Sequence, residues 1–87
     1  MATLEQLGCS VRDLSQVGDK GSDLSVGLLG RNYDVECKSG RETLSAEQCD
    51  YYSAWRGASV VVLHDRDEAT AWVNSIRQRV WHRNEET

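Results

Sequence analysis

The sequence predicts a small α/β domain in the element order αβββαβα, with one mixed sheet flanked by helices. Two observations predict it. Residues 23–28 and 33–38 alternate polar and apolar positions on either side of a Leu-Gly-Arg-Asn break, the period-2 pattern of a strand hairpin. A helical stretch, a continuous apolar run and a second helical stripe then follow, the order a parallel crossover requires. At 87 residues the chain has room for one core.

Residues 2–8 read as a short helix stopped at Gly8. Val11, Leu14 and Val17 predict an irregular edge strand over 9–17, and Gly18-Asp19-Lys20-Gly21 a turn-rich loop. Folded about Gly30 and Arg31, the hairpin sets Leu24, Val26, Leu28, Tyr33, Val35 and Cys37 on one face. Asp23, Ser25, Gly27, Asp34, Glu36 and Lys38 take the other, with Asp23 opposite Lys38 and Ser25 opposite Glu36. Ser45 and Gln48 form a capping box for a helix running to about Arg56 and ending at Gly57. The apolar run 58–63 predicts a strand buried on both faces and parallel to 33–38. Asp65 and Glu68 form a second capping box. The helix it opens carries Ala69, Trp72, Val73, Ile76 and Val80 as one stripe for the sheet, and a polar, frayed tail is expected from Asn84.

Directly opposed side chains in a hairpin sit ~5 Å apart and diagonal ones ~7–8 Å, so Asp23, Glu36 and Lys38 form a compact cluster. Two carboxylates at that spacing suit Mg²⁺ or Mn²⁺, hard cations that take oxygen ligands. A lysine beside them can orient or deprotonate a water, or neutralise charge at phosphorus. On spacing alone the alternative stays open: an Asp23–Lys38 ion pair on a solvated sheet face.

Asp23, a hairpin, then Glu36-Cys37-Lys38 resembles the PD-(D/E)XK nuclease motif. The flanking text is V-G-D-K-G-S-D-L at 17–24, G-R-N-Y-D-V-E-C-K at 30–38, L-S-A-E-Q at 44–48 and A-W-R-G at 54–57. It is similar to the VRR-NUC branch, small nuclease domains that stand alone in phages or are fused to larger repair proteins. The resemblance covers residues 8–76 and implies a single VRR-NUC-like domain over 1–87 with a restriction-endonuclease-like core. It implies a metal-dependent endonuclease that hydrolyses DNA phosphodiester bonds by direct water attack. Stand-alone members resemble dimeric Holliday-junction resolvases, which implies branched DNA as substrate and a homodimer in the cytoplasm of a host cell. By the same resemblance Asp23, Glu36 and the backbone carbonyl of Cys37 hold Mg²⁺ or Mn²⁺, Lys38 is the catalytic lysine, and Gln48 points from its helix towards the site.

Three positions depart from the family pattern. Ser22 stands where its proline would be. Asp34 replaces a usually apolar residue and is expected at the sheet edge. Glu5 sits too near Gly8 to match the acid that the family's longer N-terminal helix brings to the metal.

A net charge of −4 counts against a nucleic-acid binder, although Arg77, Arg79 and Arg83 offer a basic edge on the last helix. The acidic balance keeps a second reading open, a non-catalytic DNA- or protein-binding module on the same fold. The sequence has no apolar stretch long enough to span a membrane and no signal-peptide pattern at its start, so a cytoplasmic location is expected. Three cysteines without paired spacing argue against a disulfide framework and a zinc site, and Cys37 and Cys49 read as small buried residues. Tyr51, Tyr52 and Trp55 read as core or interface aromatics, and His64 as a strand-end residue. The apolar stripe of the last helix, on so small a domain, favours a homodimer.

Overall fold

The structure, a computed structural model, describes residues 2–14 and 22–86, with side chains to residue 79. The elements are α1 (Ala2–Gln6), β1 (Ser10–Asp13), β2 (Leu24–Leu28), β3 (Arg31–Cys37), α2 (Ala46–Ala54), β4 (Val61–Leu63) and α3 (Arg66–Glu86). They form a small α/β domain with a four-stranded mixed sheet in the order β1-β2-β3-β4. β1, β2 and β3 run antiparallel in sequence, and β4 joins β3 in parallel, as the crossover predicts. The expected loop at Gly18–Gly21 and residue Val17 lie outside the described residues.

The hairpin turns on Leu29 and Gly30, at φ 52° and φ 78°, one residue earlier than the sequence suggests. Positive φ at both central residues defines a type I′ turn, whose twist matches that of the strands it joins. Glycine supplies the second position at no steric cost. Leu28 then pairs with Arg31, Ser25 with Asp34 and Leu24 with Val35. Moving the turn by one residue shifts every cross-strand partner by two, so each side chain keeps its expected face but changes its neighbour.

Beyond exposed Arg31 at the turn, the inward face of the hairpin is apolar. Leu24, Val26, Leu28 and Val35 pack with Leu4 of α1, Leu63 of β4, and Ala69, Val73 and Ile76 of α3. Trp72 closes one side with its ring edge-on to Tyr33 at 5.2 Å. Each fully buried aliphatic side chain contributes ~1.5–3 kcal/mol, so this layer holds the fold. The α3 stripe is therefore covered by the chain's own sheet, which removes it as a reason for a dimer; Val80, its last member, lies outside the described side chains. The backbone of α3 runs through Asn84 to Glu86, where fraying is expected.

Three further expectations are corrected. The apolar run 58–63 yields only a three-residue edge strand, with Val61 and Val62 half-buried, because nothing pairs with the outer side of β4. α2 ends at Ala54 with Trp55 as an extended C-cap (φ −71°, ψ 129°), not at Gly57. Cys49 is exposed, because α2 buries none of its residues. Asp65 caps α3 through its Oδ1, which accepts from the Glu68 N–H at 2.8 Å, while Glu68 Oε1 reaches the N–H of His64. Among the described residues no helix is long and apolar enough to cross a membrane.

Candidate active site

The polar face of the sheet carries the candidate residues, opposite the layer formed by α1 and α3. Glu36, an even-numbered residue of β3, projects to this face, yet only 2% of it is exposed. α2 covers it. Tyr52 Oη donates to Glu36 Oε1 at 2.9 Å, and Gln48 Nε2 donates to Glu36 Oε2 at 3.4 Å. Gln48 also completes the capping box: Ser45 Oγ accepts from the Gln48 N–H (3.1 Å), and Gln48 Oε1 accepts from the Ser45 N–H (3.0 Å). One amide side chain thus fixes the start of α2 with its oxygen and steadies Glu36 with its nitrogen.

Asp23 precedes β2, and extending the observed pairing by one residue sets it opposite Glu36 rather than Lys38. Its Oδ2 accepts from the Cys37 N–H at 3.0 Å, so the Cys37 main chain meets this carboxylate through its amide. Lys38 follows β3, half-buried, with its N–H on the Leu63 carbonyl at 3.0 Å. No Asp23–Lys38 ion pair forms, because the two-residue shift in register moves Lys38 past Asp23. Asp34 is half-buried on the same face, opposite Ser25. It lies one residue before the β3–β4 pairing begins at Val35, so β4 does not extend alongside it. Buried Ser22 sits beneath it, its Oγ 3.1 Å from the Leu24 carbonyl and 3.4 Å from Asp34 Oδ1. A proline at residue 22 would lack that hydroxyl.

These surroundings leave negative charge uncompensated. Burial pushes the Glu36 carboxyl above its ordinary range; the Tyr52 hydrogen bond opposes the rise, the neighbouring Asp23 carboxylate adds to it, and Lys38 lowers it. Tyr52 is itself pushed up, by burial and by its bond to Glu36. A buried carboxyl perturbed in this way is characteristic of functional sites.

Tyr52 is the member that residue types alone do not reveal. Its spacing of four from Gln48 is the available signal, since residues i and i+4 share a helix face. Beyond it Tyr51 stands edge-on to Tyr52 at 5.1 Å and stacks on Trp55 at 6.0 Å, and Trp55 is 49% exposed. Other expected participants are elsewhere. Glu5 is exposed on α1, which packs through Leu4 into the opposite layer. Arg77 donates to the Leu7 carbonyl at the end of α1, and Arg79 Nε to the Ser75 carbonyl, so neither serves this face; the Arg83 side chain lies outside the described residues. Among the described residues no group of three His, Cys, Asp or Glu side chains is arranged to hold a metal ion. No protein-family model, curated protein or solved structure matches the chain.

Proposed function

We propose that this protein is a divalent-metal-dependent DNA endonuclease with Asp23, Glu36, Lys38 and Gln48 at its centre. One observation carries the reading: an almost fully buried carboxylate, Glu36, faces a second carboxylate, Asp23, and neither has an ion-pair partner among the described residues. A buried carboxylate beside a second, half-buried one is costly unless a cation is meant to sit between them. Two protein carboxylates with room for waters match how Mg²⁺ or Mn²⁺ is commonly held, with the Cys37 carbonyl as the further donor that the family resemblance suggests. When bound, such an ion supplies charge neutralisation at phosphorus and a water acidified for attack.

The chain's own residues do the positioning. Tyr52 and Gln48 hold Glu36 in one orientation, and the Cys37 N–H holds Asp23. Lys38, beside them on the open side, aligns the attacking water or offsets charge on the phosphoryl oxygens. Branched DNA is the preferred substrate class. Paired cuts across a junction need two copies, and half-exposed Trp55 at the end of α2 offers an apolar contact for pairing them.

The absence of a third acid in the described cluster favours one other reading, a DNA- or protein-binding module that no longer cuts. Cleavage of labelled four-way-junction and linear DNA in Mg²⁺, Mn²⁺ and EDTA separates the two. The nuclease cuts only with metal and loses about 10²-fold or more in Lys38→Ala, and Mn²⁺ at 100 times its Kd stabilises the fold by about 2.7 kcal/mol. Folded protein that binds DNA, cuts neither substrate and gains no stability from Mn²⁺ is the module.

A further inference from the structure

Gly27 lies mid-strand in β2, where the fold gives no reason for a glycine. Its pairing with Ser10 and Asn32 is continuous, so there is no bulge, and its φ is not positive. A Cβ there would meet nothing closer than Asn32 Oδ1 at 3.5 Å and Ser10 Cβ at 3.6 Å, ordinary contact distances. Glycine in a strand interior weakens the strand, and where neither bulge nor bend explains it, it marks the close approach of another molecule. Gly27 is also the floor of a polar concavity lined by Ser10, Val11, Arg12, Ser25 and Asn32. A second concavity shares Ser10, Gly27 and Asn32 and extends to Arg31 at the hairpin end.

Arg12 is exposed, on the same face as Ser25 and Asp34, and makes no hydrogen bond or ion pair among the described residues. The pairing sets three rows across the sheet: Ser10, Gly27 and Asn32, then Arg12, Ser25 and Asp34, then Asp23 and Glu36. Rows two residues apart are ~7 Å apart, comparable to the step between successive phosphates of one strand. Arg77 is engaged on the other layer, whereas Arg12 on β1 and Lys38 after β3 are cations of this face.

We infer that this concavity is a phosphodiester cradle. It seats a non-scissile phosphate two steps along the DNA strand from the phosphate at Asp23 and Glu36, with Arg12 as the charged contact, Ser10, Ser25 and Asn32 as hydrogen-bonding walls, and Gly27 as a floor kept bare. The inference rests on the nuclease reading of the adjacent site.

The test compares cleavage kinetics and salt dependence for wild type, Arg12→Gln, Gly27→Ala and Arg79→Gln, the last as a charge control on α3. Arg12→Gln raises KM about tenfold with little change in kcat, and lowers the slope of log affinity against log salt by about one. Gly27→Ala melts at or above the wild-type temperature yet also raises KM, and Arg79→Gln behaves as wild type. A wild type that cuts DNA while Arg12→Gln and Gly27→Ala match it would overturn the cradle and leave the nuclease standing. A wild type that neither binds nor cuts DNA would overturn both. Loss of self-association in Gly27→Ala, seen by sedimentation, would assign the concavity to a second copy and overturn the inference.

Discussion

Tyr52 and Gln48 stand one helical turn apart on α2, and both reach the Glu36 carboxylate. The phenol is the closer donor and the one that keeps the Glu36 charge tolerable in a buried position. Tyr52→Phe keeps the ring and removes the donor. A hydrogen bond to a charged group is worth ~1.5–3 kcal/mol, and ~1 kcal/mol moves the Tm of a domain this size by ~4–8 °C. Metal-free Tyr52→Phe should therefore melt several degrees below wild type, read by thermal denaturation. A Tm within a degree of wild type would mean that Glu36 does not depend on this bond. Asp23, Glu36 and Lys38 are legible in one dimension because strand alternation fixes faces without a partner. Tyr52 is not, because nothing in the chain text says that α2 stands over β3.

Among the elements, α2 is the most weakly anchored. It buries no residue and meets the sheet through the Gln48 and Tyr52 contacts to Glu36. The capping box is then what holds its first turn, and Ser45→Ala should cost about 1 kcal/mol while fraying the helix locally. Amide exchange over residues 46–54 should quicken while the core strands keep their protection, and cleavage should fall by more than global stability does. Unchanged exchange in α2 would show that the Glu36 contacts suffice. The start of α2 is readable from sequence because a capping box is a local exchange of two hydrogen bonds. Its end, and the edge position of β4, are not. Both depend on what packs alongside, and an apolar run such as 60–63 reads the same at the centre of a sheet as at its rim.

At the scale of the molecule the sheet separates an apolar layer with α1 and α3 from a polar layer with α2, and two long-range ties cross the chain around it. Arg77 joins α3 to α1. His64 joins the segment before α2 to α3, with Nε2 2.5 Å from the Glu42 carbonyl and Nδ1 2.8 Å from Glu68 Oε1. Both ring nitrogens face acceptors, so the imidazolium is favoured and the pKa is raised, first by the Glu42 carbonyl and then by Glu68. A raised folded-state pKa gives stability that is fully present below the unfolded value of about 6.5 and fades as pH climbs through the folded value. The Tm advantage of wild type over His64→Gln should thus be greatest near about pH 5 and shrink above neutrality. A difference independent of pH would mean that the ring acts through packing alone. Bulk charge was a poor guide here, because a count cannot tell Arg77, engaged at a helix end, from Arg12, open on the polar face.

The turn at Leu29 and Gly30 works as a gear setting for the chemistry above it. A sequence that preferred to turn at Gly30 and Arg31, for example one with a β-branched residue resisting positive φ at position 29, would advance the ladder by two. Inward residues would still point inward, yet Asp23 would face Lys38 and become a neutralised pair with no use for a cation. A loop about 20 Å from the acids, at six residues of strand rise, thereby decides whether this face of the sheet is reactive or inert.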